Sequence, residues 1–180
     1  MNEFLDIIRG RRSIRKYQEK DIPEQVLEEI LESVRWSPSW ANTQCWEVIV
    51  VKETEKKAEL AEALGRTNPA QRAVTQAPVV LALAARLKSS GYYKGEVSTK
   101  FGDWFMFDVG VATQSVCLAA HNVGLGTVIV GMFEHDRAKD VLGVGENHEV
   151  VVLIPLGYPN QEPRAPKRRE SVEFTHYEQF

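Results

Sequence analysis

The sequence predicts one folded domain of mixed helices and strands packed around a long apolar helix. Three observations lead there. The chain has 180 residues, 43% of them hydrophobic and 26% charged, which is ordinary globular usage and enough length to bury a substantial core. Strand-like apolar runs at 46–51, 78–84 and 149–156 are separated by stretches with helical periodicity. The segment Phe101–Val123 is apolar nearly all round from Trp104 onward, with Asp108 as its one certain charge.

Residues 2–9 form a short helix that stops at Gly10, and Pro23 opens a second helix reaching about residue 36. In that helix Val26, Leu27, Ile30, Leu31 and Val34 make the apolar stripe, while Glu24, Glu28, Glu29 and Glu32 face water. A strand follows at 46–51, a charged helix at 54–64, and an irregular polar stretch at 66–76. A second strand begins at Pro78. Residues 88–100 lack apolar periodicity and carry Ser-Ser-Gly and Lys-Gly, so they form a long loop and a candidate lid. The Phe101–Val123 helix must be covered on all sides. No uncharged run in it reaches the roughly 18 residues of a membrane span, so a partner subunit is the simpler cover. Gly124-Leu-Gly126 ends the helix, and a strand at 127–130, a helix at 136–142 and a strand at 149–156 complete the domain. The Pro-rich segment from Pro159 leads into an extended tail, about 159–180, that reaches the other subunit.

The opening MNEFLDIIRG places acids where a signal peptide has bases, and Cys45 and Cys117 form no CxxC pair; a cytoplasmic protein with free thiols is expected. A formal net charge of -3 argues against nucleic acid as partner. The distribution is more informative than the sum. Arg9, Arg11, Arg12, Arg15 and Lys16 crowd one segment, and Arg164, Lys167, Arg168 and Arg169 another. Nine of 22 basic residues in two short segments point to a small anionic ligand, against the plain alternative of solvated surface.

In Arg11-Arg12-Ser13-Ile14-Arg15-Lys16-Tyr17, guanidinium forks and a hydroxyl supply directed donors for phosphate oxygens. Ser37-Pro38-Ser39-Trp40-Ala41-Asn42-Thr43-Gln44-Cys45-Trp46 is a turn rich in small polar groups between a helix and a strand. His121, His135, His148 and His176 have no metal-ligand spacing, and no metal is expected. Asp108 is read as a satisfied structural acceptor. Gly124-Leu-Gly126 follows a helix and lacks a third glycine, which excludes a dinucleotide loop.

Taken together, the RRSIRKY run, the SPSWANTQ-W loop, the WFMFDVGVATQSVCLAAHNVGLG helix, the TVIVGMF strand and turn, and the late KRR segment resemble the nitroreductase family in order and approximate spacing. The resemblance implies an α+β fold with a central, mainly antiparallel sheet flanked by helices, an intertwined homodimer, and FMN at the subunit interface. By position, Arg11 and Ser13 would bind the FMN phosphate, Arg12 would contribute through its backbone, and Arg15 would reach the flavin pyrimidine edge. A cation there stabilises the anionic reduced ring. Pro38, Ser39 and Asn42 would come from the opposite subunit, Val130 and Gly131 would offer amides near N5 and O4, and Asn68 and Gln71 would contact the pyrimidine. Lys167 and Arg169 match the late phosphate contacts, with Arg168 as the alternative. Two departures concern pocket shape: Trp40 replaces a small residue and either walls the substrate cavity or fills the dimer interface, and Cys45 replaces proline and reads as a small buried hydrophobe.

The implied activity is hydride transfer from NAD(P)H through FMN to a nitroaromatic, quinone or similar electrophile by a ping-pong route, with no side chain as nucleophile. Reductive dehalogenation and flavin breakdown belong to the same fold. The rivals of other classes are a flavin-binding or storage protein and a helical dimerisation module with basic ends.

Overall fold

A computed structural model describes residues 3–180. In order, the elements are α1 (Glu3–Gly10), α2 (Glu24–Arg35), β1 (Trp46–Val51), α3 (Thr54–Glu62), α4 (Gln71–Gln76), β2 (Val79–Arg86), β3 (Tyr92–Tyr93), β4 (Glu96–Val97), α5 (Phe105–Asn122), β5 (Gly126–Thr127), α6 (His135–Leu142) and β6 (His148–Gly157). The main sheet has the order β1-β2-β6-β5, and every neighbouring pair in it is antiparallel. This is the expected α+β architecture. The first residue of the predicted opening helix lies outside the described residues.

β2 is buried along almost its whole length because helices cover both faces of the sheet, which is why its sequence is an unbroken apolar run. One face carries Val80, Ala82 and Ala84 against α3, α4 and α6; the other carries Val79, Leu81, Leu83 and Ala85 against α2 and α5. Opposite them, β6 changes sides. Leu83 pairs with Val152 but Ala84 pairs with Val150, so Val151 is an extra residue. That bulge puts Val150 and Leu153 in one core and Val152, Ile154 and Leu156 in the other.

Three expectations are corrected. The polar stretch 66–76 ends in α4, whose single turn-and-a-half buries only Ala73 and Val74, too short a stripe to show periodicity. Within the predicted loop 88–100 lies an antiparallel hairpin, Tyr92 opposite Val97 and Tyr93 opposite Glu96. The strand expected at 127–130 is shorter: β5 stops at Thr127, and Val130 rejoins β6 through one bridge to Leu153. Within the chain, α5 is covered on one side only. Asp108, Val109, Ala112, Thr113, Val116, Cys117 and Ala120 are buried, but Met106 and Phe107 are each 60% exposed. They border an open, largely apolar groove with Gly110, Val111 and Leu118. From Glu162 to Phe180 the tail is exposed, apart from a short turn at Ser171–Glu173 in its internal order. Among the described residues no helix is long and apolar enough to cross a membrane.

The basic segment is tied to this scaffold at β5. The Ile14 N–H donates to the Thr127 carbonyl (2.8 Å), and Ser13 bridges Thr127 in parallel. The approach needs Gly126, because a Cβ there would lie 2.5 Å from Ile14 Cγ1 and 2.7 Å from its Cβ. We therefore expect Gly126→Ala to destabilise the protein by about 1–3 kcal/mol through overpacking. A lower urea midpoint at fixed protein concentration is the readout; an unchanged midpoint would show that Ile14 can withdraw at little cost.

Candidate functional site

After α1 the chain turns at Gly10, whose added Cβ would lie 2.7 Å from His121 Nε2 on α5. Residues 13–18 then run along the end of the sheet: the Gln18 N–H donates to the Tyr158 carbonyl (2.9 Å), and the Asn160 N–H to the Lys16 carbonyl (2.9 Å). Ile14 and Tyr17 turn into the core. The Tyr17 hydroxyl donates to the Ile14 carbonyl (2.7 Å), with the Pro155 carbonyl 3.0 Å away. Burial holds this phenol protonated far above its usual range. With the apolar side chains anchored, the polar ones face outward.

They meet the tail around a cavity of about 290 Å³ lined by Arg11, Arg12, Ser13 and Arg15 from the N-terminal segment and by Pro163, Arg164, Pro166 and Arg168 from the tail. Five arginines and no carboxylate line it. Not all are equally available. Arg12 Nη1 donates to the Arg9 carbonyl (2.5 Å) and the Arg11 carbonyl (2.8 Å), so its side chain caps α1. In the tail, Pro163, Arg164, Pro166 and Arg168 line the cavity while Lys167 and Arg169 do not. Arg169 instead donates to the Glu173 carbonyl. The alternative ligand Arg168 is thus at the cavity, joined by Arg164.

Arg15 also lines a second cavity of about 610 Å³, with Lys16, Pro69, Arg72 and Gln76. Arg72 was not anticipated, because its position on α4 was legible only once that helix was known. Asn68 and Gln71 each make side-chain hydrogen bonds within the fold. Asn68 Nδ2 donates to the Met132 carbonyl (2.9 Å) and its Oδ1 accepts from the Ala70 N–H (2.9 Å), while Gln71 Nε2 donates to the Ala61 carbonyl (3.2 Å). They brace the 65–70 and 130–132 turns. The Val130 N–H is likewise taken by the Leu153 carbonyl (2.9 Å). Gly131 is exposed beside it.

Pro38, Ser39 and Asn42 do not join the arginine cavity within this chain. They lie on a tight turn in which Ser39 Oγ accepts from the Gln44 N–H (2.9 Å) and Ala41, Asn42 and Gln44 all have positive φ. Such φ values in non-glycine residues persist where the surroundings hold them. Trp40 is half-buried, and its N–H donates to Asp108 Oδ1 (3.0 Å). Cys45 is fully buried, as expected of a small hydrophobe. Burial, and then the nearby Asp108 carboxylate, push its thiol up to about 12. On the other side, burial and then the Arg11 and Arg12 charges lower the pKa of His121, which favours the neutral ring. Among the described residues no group of three or more His, Cys, Asp or Glu could hold a metal ion.

The nitroreductase family profile matches residues 8–158 of this chain. A Methanothermobacter thermautotrophicus protein provisionally named NADH dehydrogenase/NAD(P)H nitroreductase is 31% identical over 165 residues, 89% of this chain and 80% of that protein. Mouse iodotyrosine deiodinase 1 is 25% identical over 194 residues, 91% of this chain and 65% of the relative. Among solved structures, the Vibrio harveyi NADPH:FMN oxidoreductase in complex with NAD+ superposes with a TM-score of 0.85 at 27% identity, covering 99% of this chain and 78% of the other.

Both cysteines are buried and free, and Cys45 titrates far above neutrality, so thiolate at pH 8 is scarce. A disulfide reagent at that pH is expected to leave both thiols of the native protein intact and to label both after denaturation. Rapid labelling of the native protein would contradict this burial. Because the folded Cys45 pKa lies above its ordinary value of 9.0, the stability it contributes is complete below about pH 9 and falls as pH rises toward 12.

Proposed function

The chain belongs to the nitroreductase family, and we propose that it is an FMN-dependent oxidoreductase that takes hydride from NADH or NADPH and passes it to a nitroaromatic, quinone or similar electrophilic acceptor. The observation that carries this reading is the convergence of Arg11, Ser13 and Arg15 with Arg164 and Arg168 on a small cavity free of carboxylates. A dianionic phosphate fits such a site, since guanidinium forks and a hydroxyl supply both charge and directed donors.

In this reading Arg11 and Ser13 bind the phosphate from the N-terminal segment, and Arg164 and Arg168 close over it from the tail. Arg15, which lines both cavities, extends toward the pyrimidine edge with Arg72 nearby and offsets negative charge there. Gly131 offers its amide where a Cβ would obstruct close approach. When bound, the flavin supplies the redox chemistry, accepting hydride from the nicotinamide and yielding it to the second substrate in a ping-pong cycle. The protein's share is binding, orientation and charge compensation. Residues 1–180 act as one domain that pairs through the open face of α5, the tail from about 159 reaches the partner, and Pro38, Ser39 and Asn42 serve the partner's flavin. Two buried free thiols suit the cytoplasm.

Reductive dehalogenation is the second reading, favoured by the similarity to mouse iodotyrosine deiodinase 1. The visible spectrum of the purified protein tests the cofactor, and NADH or NADPH oxidation with menadione or with an iodinated tyrosine tests the acceptor. We expect a flavin spectrum and turnover with menadione. Flavin without turnover on either acceptor would make the protein a store, and a colourless preparation that takes up no FMN would end both readings.

Two further outcomes follow from the proposed site. Charged hydrogen bonds contribute roughly 1.5–3 kcal/mol each, so Arg11→Ala should weaken FMN about ten- to a hundredfold in a fluorescence titration, and unchanged affinity would remove Arg11 from the phosphate site. If the α5 groove is the pairing surface, dilution should lower the thermal midpoint. A stable monomer in sedimentation at low concentration would instead rule out the shared site.

A further inference from the structure

We propose that Asp108 is a positioning residue which couples the Pro38–Gln44 turn to the hairpin insertion at 88–103. The carboxylate is completely buried in the first turn of α5. One oxygen serves the turn alone and the other both segments. Oδ1 accepts the Trp40 N–H (3.0 Å), while Oδ2 accepts the Ser90 hydroxyl (2.7 Å) and the Cys45 thiol (3.6 Å). Among the described residues no ion pair involves Asp108, so those three donors and the positive end of α5 compensate its charge. Such a group does not tolerate losing a donor, because the lost bond leaves a buried charge under-solvated.

The segments meeting at Asp108 differ in character. Ser90 is itself completely buried and lies at the base of the insertion. Its carbonyl accepts the Trp104 N–H (3.0 Å), the Gly91 carbonyl accepts the Ser98 N–H (2.8 Å), and the Lys88 N–H donates to Asp103 Oδ2 (2.6 Å). The insertion is therefore stitched at its base. Gly91 has φ +82°, and a Cβ there would lie 2.6 Å from the Gly102 carbonyl. Its tip is open: Tyr93 is 66% and Val97 53% exposed. The 38–44 turn carries three positive φ values in non-glycine residues, and the Trp40–Asp108 bond is its side-chain anchor to α5. A carboxylate has one χ2, so rotating it to follow Ser90 also displaces the acceptor of Trp40. Motion of the insertion, through which an acceptor would enter, thereby reaches the turn carrying Pro38, Ser39 and Asn42. That consequence for catalysis rests on the placement of those three residues at the partner's flavin.

Amide exchange on the FMN-loaded protein tests the coupling. Ser90→Ala is nearly isosteric and lies outside the turn, yet exchange across 38–45 should accelerate roughly five- to tenfold, the size expected for one lost hydrogen bond. Asp108→Asn should loosen the same peptide, and adding Ser90→Ala to it should have little further effect, since both act through one group. Acceleration confined to 88–103, or additive effects in the double variant, would overturn the proposal. Steady-state kinetics of Ser90→Ala supply the second readout: the acceptor KM should rise several-fold with kcat nearly constant. Coupled exchange with an unchanged KM would instead overturn the placement of the 38–44 turn at the flavin, and with it the catalytic role of the coupling.

Discussion

Ile14 can reach the Thr127 carbonyl only because position 126 has no side chain. This one close approach determines how the first 18 residues are used. It pins the chain against β5, turns Ile14 and Tyr17 into the core, and leaves Arg11, Ser13 and Arg15 on the outer side beside the tail. Without it, the basic run would be a flexible surface segment whose charges repel and disperse. With it, the ordering entropy of the arginines is met by the folding of the sheet, so an anion meets donors already arranged.

Helix α5 links this edge to the rest of the molecule. At its C-terminal end His121 packs against Gly10; at its N-terminal end Asp108 receives the Trp40 turn and the insertion. The buried stripe between them joins the core formed with α2, β2 and β6. Its opposite face is apolar and open, unusual for a helix with so little polar surface. Covering that face with a second copy would bring two turns and two arginine cavities into one assembly. The proposed sharing of a site between subunits and the exposed face are thus one problem of unfilled surface.

The parts of this arrangement readable from sequence were those with strong local signals. β1, β2, β6 and α2 have apolar runs or stripes long enough to specify their type, and the element bounds differ from expectation by a residue or two. α4 and the β3–β4 hairpin escaped because six residues and two residues per strand are too short for a period. The all-round apolarity of α5 indicated a need for cover beyond one chain, and one face is indeed open within the chain. At the site, the clustering of arginines was visible, whereas which side chains remain available depends on tertiary hydrogen bonds. Asn68, Gln71 and Val130 have suitable chemistry and are engaged elsewhere. Arg168 rather than its neighbours lines the cavity, and no pattern in the KRR run encodes that choice.

Charge distribution adds a constraint on ligands. The nine basic residues of the two segments have no acidic residue within 9–16 or 164–169, so the other 13 cations face all 25 acids of the chain. The protein is acidic overall but presents a concentrated positive field where the segments meet. Field lines focus in such a cleft and raise the local concentration of phosphate-bearing molecules, while the negative remainder repels them from other surfaces. FMN and the nicotinamide cofactors both carry phosphate, and the same field favours both encounters. The proposed acceptors differ: nitro and quinone compounds are neutral, and steering by the arginines would do nothing for them. In the proposed cycle their entry would draw instead on apolar and aromatic surface, such as that exposed at Tyr93, Val97 and Phe101. The two halves of the proposed cycle would therefore respond differently to ionic strength, the reductive half slowing as salt screens the arginines and the oxidative half remaining nearly constant.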